Sequence, residues 1–106
     1  MSIQLLETVR DHLHTANLVK NEREFCEQWL AKSECYLRTL RFTGTEPSAE
    51  ALATLSSKLG YYVGELAARD DYTSQHWAVL LRELRRRTQA QLETQMRARW
   101  KRVLTK

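Results

Sequence analysis

The last third of the chain contains no residue that would interrupt a helix. From Tyr72 to about Leu104 neither Gly nor Pro occurs over 33 residues. Apolar side chains recur there at helical spacing. At ~1.5 Å per residue, one helix of this length spans ~50 Å. A compact domain of about 100 residues has a radius of gyration near ~13 Å, so we expect part of the helix to extend past the body and to pack on another partner.

Composition places the rest of the chain in the same structural class. The 106 residues include only 3 Gly and 1 Pro, too few for a many-stranded sandwich or barrel. Cys26 and Cys35 are too few for a disulfide scaffold and lack a CxxC spacing. No apolar run approaches the ~20 residues of a membrane span, and the first residues lack a signal-peptide pattern. We therefore predict an all-α, cytoplasmic protein.

Capping signals divide the first part of the chain into short helices. An apolar stripe predicts a first helix from Ser2 to about Val19. Asn21, with Glu24 three residues later, indicates the start of a second helix. Ser33 marks the start of a third, which we expect to cover residues 33–42.

A loop and a further helix are expected next. Gly44 can adopt a positive φ, and Pro47 prevents a helix from continuing through the residue before it. Ser48 is the expected N-cap of the following helix, which we expect to end near Gly60. Residues 61–71 are predicted to form a short helix or turn that leads out of the body.

Charge is distributed unevenly along the chain. Residues 1–81 hold eight basic and eleven acidic residues, for a net charge of −3. Residues 82–106 hold nine basic and two acidic residues, for a net charge of +7. A basic terminal segment favours an acidic partner, most commonly a nucleic acid. The alternative is a charged helix face that only contacts solvent.

No motif in the sequence indicates catalysis. His12 and His14 lie two residues apart on different faces of a helix, so they cannot share a metal as an i, i+4 pair does. The glycines at positions 44, 60 and 64 are isolated and form no phosphate-binding loop. No serine has the flanking glycines of a nucleophile elbow. We expect no enzymatic activity, no cofactor and no metal.

The region between residues 21 and 60 has the order of a helix-turn-helix module, in which a short helix, a sharp turn and a second helix follow one another. The residues in matching positions are Asn21, Glu22, Glu24, Phe25, Cys26, Ser33, Leu37, Leu40, Pro47, Ala49, Leu52, Leu55 and Leu59. In these positions the chain resembles the lambda-repressor-like (Cro/XRE-type) helix-turn-helix proteins. It departs from them in a turn, Trp29–Ser33, that is one residue longer and lacks Gly, and in Gly44, which falls one place late. Glu22 replaces a frequent Gln and Arg41 a frequent Glu.

The resemblance implies a lambda-repressor-like bundle with an added long C-terminal helix. The helix-turn-helix domain would cover residues 1–66, and the long basic helix would cover residues 71–105. The recognition helix, 33–42, would enter the major groove. The implied base contacts are Ser33, Glu34, Tyr36, Arg38 and Thr39. The implied phosphate contacts are Lys32, Arg41, Thr43 and Thr45.

The predicted function is that of a dimeric, sequence-specific regulator of transcription that binds double-stranded DNA and acts as a repressor in a bacterium, phage or mobile element. The stripe on the long helix supplies the expected dimer interface, because exposed Trp side chains are costly in water. Its residues are Trp77, Leu81, Leu84, Leu92, Met96 and Trp100. Two alternatives remain at this stage: a small helical adaptor that binds another regulatory protein without DNA, and an antitoxin that holds a toxin with its basic helix.

Overall fold

A computed structural model describes residues 2–104, which form helices and turns without a strand. This confirms the predicted all-α class. Position 105, the expected end of the last segment, lies outside the described residues. The elements are α1 (Ser2–Thr15), α2 (Glu22–Glu24), a π-helical turn (Phe25–Trp29) that continues α2, α3 (Tyr36–Thr43), α4 (Ala49–Ala67) and α5 (Tyr72–Leu104).

Two of the predicted helix caps are present. The Asn21 side chain accepts a hydrogen bond from the Glu24 backbone N–H at 2.9 Å. The Glu24 carboxylate in turn accepts one from the backbone N–H of Lys20 at 3.2 Å. Ser48 Oγ accepts the backbone N–H of Ala51 at 3.1 Å and so caps α4. Each bond satisfies a donor that has no partner within its own helix, which fixes where these helices begin.

The predicted end of the first helix is wrong by four residues. α1 ends at Thr15 and not near Val19. Asn17 has a φ of 62°, in the left-handed region that Asn tolerates better than most residues. The backbone N–H of Leu18 then returns to the Leu13 carbonyl at 2.9 Å, so the chain reverses here.

The predicted end of the fourth helix near Gly60 is also wrong, since α4 continues to Ala67 and includes most of the segment expected to form a separate helix or turn. Gly60 lies inside the helix, where it allows a close approach. A Cβ at this position would lie 2.8 Å from the Arg85 guanidinium carbon. Arg85 Nε donates to the carbonyl of Ser56, one turn earlier, at 3.0 Å. Gly60 therefore allows α5 to pack closely on α4. Its low helix propensity, which predicted a helix end here, does not end α4.

A single apolar core joins α1, the π-helical turn, α3, α4 and the first half of α5. Its largest fully buried side chains are Trp29, Phe25, Leu6, Leu13, Leu30, Leu37, Leu52, Leu55, Leu59, Leu81, Leu84 and Val9. Since α5 contributes to the same cluster as α1 and α4, residues 72–88 belong to the body of the protein. They do not form a unit separate from residues 1–66.

The second half of α5 leaves the core. The last buried residue of this helix is Thr88, and every described residue from Arg97 onward is exposed. The described chain is correspondingly elongated, with principal extents of 53 × 27 × 19 Å. We call residues 2–88 the body and residues 97–104 the α5 end.

Candidate nucleic-acid interface

The turn between α2 and α3 absorbs its extra residue by local changes in helix geometry. The Leu30 N–H bonds the carbonyl of Phe25, five residues back, at 3.3 Å, which is a π-helical bond. The Lys32 N–H reaches the carbonyl of Cys26 at 2.9 Å. Ala31 has a φ of 54° and occupies the left-handed region where Gly is the usual residue. A turn without Gly is therefore made at the cost of backbone strain at Ala31.

The helix after this turn begins later than predicted. α3 covers Tyr36–Thr43, so the expected recognition helix at 33–42 is wrong at its start. Ser33 does not open it by side-chain capping; its carbonyl accepts the Tyr36 N–H at 3.1 Å in the preceding turn. The N-cap position is Cys35, which makes no side-chain capping bond. The three residues before Tyr36 complete the change of direction that Ala31 begins.

The outer face of α3 is open to solvent. Leu37 and Leu40 point into the core, while Arg38 and Thr39 are exposed. Phe42 is 91% exposed, which is unusual for a ring of its size. Among the described residues, the Arg38 guanidinium forms a hydrogen bond only at the start of its own helix, where its Nη2 lies 2.6 Å from Cys35 Sγ. This face therefore presents a cation, a hydroxyl and an apolar ring together.

Tyr36, an expected base contact, fastens α3 to α4 instead. Its hydroxyl accepts the backbone N–H of Ser48 at 2.9 Å and lies 3.4 Å from Ser48 Oγ. The ring is half-buried, with Lys32 Nζ 5.7 Å from its centroid. A hydroxyl held against the start of α4 is not free to reach a base edge, so the base-contact role of Tyr36 is corrected to a bracing role.

Two of the expected phosphate contacts already hold carboxylates. Arg41 lies 2.9 Å from a Glu7 carboxylate oxygen and 2.9 Å from one of Glu22. Lys32 Nζ lies 3.2 Å from Glu50 Oε1. A phosphate would have to compete with these carboxylates for both cations.

Glu22 is the centre of this ion-pair network. Arg41 and Arg10 both donate hydrogen bonds to its carboxylate, and Arg10 also pairs with Asp11 at 2.9 Å. The hydrogen bond from Arg41 is the largest of the effects that hold the pKa of Glu22 below its ordinary value. The same bond raises the pKa of Arg41. Glu22 is therefore ionised at neutral pH and holds α1, α2 and α3 together.

The remaining predicted contacts lie at the two ends of α3. Ser33 and Glu34 are exposed before its first residue, and Glu34 pairs with Arg23 at 3.1 Å. Thr43, the last residue of α3, and Thr45, two residues beyond it, are exposed, with their hydroxyls 2.8 Å apart. All four side chains border the outer face of α3, but only Ser33 is without a side-chain hydrogen bond or ion pair to another described residue.

The residues expected at a dimer interface separate into two groups. Leu81 and Leu84 are fully buried in the core of a single chain, so they cannot lie between two copies while this fold is kept. The prediction is corrected for these two, because α4 covers the first half of the stripe. Trp77, Leu92 and Met96 are half-buried, and Trp100 is 49% exposed. The part of the stripe that a second copy can reach therefore consists of Trp77 and of the residues beyond Thr88.

Basic residues of α5 are less engaged than those around α3. Arg82, Arg99 and Lys101 form no ion pair with another residue in the described range. Arg97 lies 3.5 Å from Glu93, and Arg86 lies 2.7 Å from Glu83, both within the same helix. The cations available to a polyanion are concentrated on this helix.

Several contacts that decide the roles of these side chains have no signal in the local sequence. The pairing of Arg41 with Glu7 joins residues 34 positions apart, and the Tyr36–Ser48 contact crosses a loop. A charge count shows that opposite charges are available but not that they meet. The sequence contained one signal for this network. Glu22 stands where the resembling family often has Gln, and Arg41 stands where it often has Glu. These two departures form one ion pair.

Residues 6–101 match a family of unknown function, DUF6626. The chain belongs to this family. Neither a curated protein nor a solved structure matches it. In the described part of this DUF6626 member, no helix is both long and apolar enough to cross a membrane. No group of three or more His, Cys, Asp or Glu side chains in that part is arranged to hold a metal ion.

Proposed function

We propose that this DUF6626 protein is a cytoplasmic, sequence-specific regulator of transcription that binds double-stranded DNA and inserts α3 into the major groove. The observation that carries the proposal is the placement of α3. Its inner residues, Leu37 and Leu40, are buried in the core, and its outer residues, Arg38 and Thr39, face solvent. A braced, exposed helix of this kind has the dimensions that the B-DNA major groove admits.

The exposed face defines which side chains would read bases. Arg38 is suited to a bidentate contact with guanine, and the Phe42 ring to the methyl group of thymine. Thr39 lies beside them and offers a hydroxyl. Ser33 and Glu34 stand at the start of the helix, where Glu34 is placed to accept from a cytosine amine once it leaves Arg23. Bracing by Tyr36 supports this face without taking part in reading.

Affinity for phosphate would come mainly from α5. Arg41 and Lys32 already neutralise carboxylates, so they would contribute less than their charge suggests. Arg82, Arg99 and Lys101 form no ion pair with another described residue. Each phosphate that a basic side chain neutralises adds to the salt dependence of DNA binding. Contacts from the unpaired cations of α5 therefore predict that affinity for DNA falls steeply as the salt concentration rises.

A homodimer would join two such modules through the exposed half of the α5 stripe. Trp100, Val103 and Leu104 are 49%, 67% and 74% exposed, and Met96 lies one turn earlier. Pairing of these residues between two copies would remove their apolar surface from water. A two-fold arrangement would also present two α3 helices to half-sites about one helical turn apart. Sedimentation tests this part: a monomer at tens of micromolar contradicts it.

The test of DNA binding is a titration of fluorescent DNA from the chain's own promoter region at two salt concentrations. We expect Arg38→Ala to cost about 1–3 kcal/mol of operator binding. Arg69→Ala is the matched control, since it removes the same charge at the far end of α4 and should leave operator affinity nearly unchanged. Equal losses of operator affinity in both variants would mean that binding depends on net charge and not on base contacts. Absence of a DNA complex at low salt would contradict the proposal.

A second candidate function, protein binding without DNA, is favoured by one observation. The exposed apolar residues of the α5 end lie among Arg97, Arg99 and Lys101, the arrangement of a helix that docks in an acidic groove. An adaptor or antitoxin would use this surface for its partner. Arg38→Ala separates the candidates: it should weaken operator binding by a regulator and leave capture of a partner protein by an adaptor unchanged.

A further inference from the structure

A cavity of about 410 Å³ lies where α1 and α4 end and α5 begins. Its walls include three aromatic rings, from Tyr61, Tyr62 and Trp77, and the buried side chain of Leu66. The Tyr61 and Tyr62 rings meet edge to face with centroids 5.3 Å apart. A concave site of this volume, whose walls combine aromatic rings with polar side chains, is within the size range of sites that hold small molecules.

Two opposite charges border this cavity without neutralising each other. Glu65 and Arg69 both line it and lie four residues apart in sequence. Neither side chain forms an ion pair or hydrogen bond with any described residue, although this spacing often brings such a pair together on a helix. Arg69 lies beyond the last residue of α4, where the backbone leaves the helix. The carboxylate and the guanidinium are therefore both available to a ligand.

The nearby carboxylate of Asp71 attracts the Arg69 guanidinium, which contributes to the lowered pKa of Asp71, but it forms no ion pair with Arg69 among the described residues. Its carboxylate accepts the backbone N–H of Ser74 at 2.8 Å, and that bond is the main reason for its lowered pKa. It is thus used in capping α5. The end of α1 also borders the cavity, and the partial negative charge of a helix C-terminus favours a bound ammonium group on that side.

We propose that this cavity binds a small zwitterion of the α-amino acid class with an apolar side chain. Glu65 would hold the ammonium group and Arg69 the carboxylate. The apolar side chain would lie against Tyr62 and Trp77, where the ring faces also favour the ammonium. This site is independent of α3, so it stands or falls apart from the DNA-binding proposal.

Calorimetric titration with three related probes tests the assignment of both charges. L-Phenylalanine carries both groups, phenethylamine lacks the carboxylate, and 3-phenylpropionate lacks the ammonium. We expect the wild-type protein to bind L-phenylalanine at least about tenfold more tightly than it binds phenethylamine or 3-phenylpropionate. Glu65→Gln should weaken the binding of L-phenylalanine about tenfold and leave the affinity for 3-phenylpropionate unchanged. Arg69→Gln should weaken the binding of L-phenylalanine about tenfold and leave the affinity for phenethylamine unchanged.

The control variant is Glu83→Gln, which makes the same substitution on α5 at a residue that does not line the cavity and should leave all three affinities unchanged. Circular dichroism of each variant checks that the fold is kept. No heat with millimolar L-phenylalanine overturns the proposal. Equal binding of L-phenylalanine by wild type and both cavity variants also overturns it, as does equal binding of the three probes.

Discussion

The body and the α5 end both carry many charges but use them differently. In the body, Arg10 and Arg41 converge on Glu22, and Lys32 pairs with Glu50. In the α5 end, all four charged residues are basic, and Arg99 and Lys101 lie in solvent without an ion pair in the described range. The charges of the body therefore hold helices together, whereas Arg99 and Lys101 in the α5 end remain available to a partner.

The same contrast holds for apolar side chains. α5 continues without interruption from one region into the other, and its residues keep one helical spacing. Leu84 is buried, yet Leu104, twenty residues later on the same helix, is 74% exposed. One uninterrupted helix thus packs in the core with its first half and exposes apolar side chains to solvent in its second half.

The largest expected effect compares these two leucines. Leu84→Ala should lower the free energy of unfolding by about 2–5 kcal/mol, because it removes buried methyl groups and leaves a cavity. In a single chain, Leu104→Ala should change it by less than about 0.5 kcal/mol, since the side chain is 74% exposed there. Urea denaturation of both variants, followed by circular dichroism, measures the difference. Similar losses from the two would show that the α5 end is covered in solution.

Local signals in the sequence predicted much of the fold. Asn21 and Ser48 cap α2 and α4 as expected, and the stretch from Tyr72 forms one helix. Gly44 has the positive φ, 68°, that its place in the loop suggested. These features depend on backbone groups within a few residues of each other, so the sequence around them is sufficient.

Features that depend on distant partners could not be read in the same way. Burial of Leu81 and Leu84 depends on where α4 lies, and the state of Arg41 depends on Glu7 in α1. Tyr36 looked like an exposed helix residue because nothing local shows that Ser48 will reach its hydroxyl. An exposed helix therefore lies close to the predicted residues 33–42, while its role in DNA binding stays a prediction.

The next largest effect tests whether the ion pairs of the body contribute more than those of α5. Glu22→Gln should destabilise the protein by roughly 1–2 kcal/mol at pH 7, because its charged carboxylate holds two arginines. Glu93→Gln removes one exposed pair, 3.5 Å long, and should cost less than about 0.5 kcal/mol.

The pH dependence of this effect has a definite sign. The pKa of Glu22 in the folded protein lies below its ordinary value of 4.5. The stability it contributes is therefore fully present above that ordinary value and is lost as the pH falls through the lower, folded-state pKa. Unfolding curves of wild type and Glu22→Gln should converge in acid. A constant difference down to pH 2 would show that the carboxylate acts by shape and not by charge.

The smallest expected effect concerns backbone geometry and has opposite signs in the turn before α3 and in the middle of α5. Ala31, in the turn before α3, has a left-handed φ of 54° that strains any residue with a Cβ, and its side chain is exposed. Ala31→Gly should therefore stabilise the protein by about 0.5–1 kcal/mol, the relief of strain exceeding the added freedom of the unfolded chain. Ala90→Gly, at an exposed position inside α5, should destabilise it by about 0.5–1 kcal/mol. Thermal unfolding of the two variants gives both signs in one experiment. Destabilisation by both would mean that the α2–α3 turn does not adopt the left-handed conformation at Ala31, and α3 would then have to leave α2 in another direction.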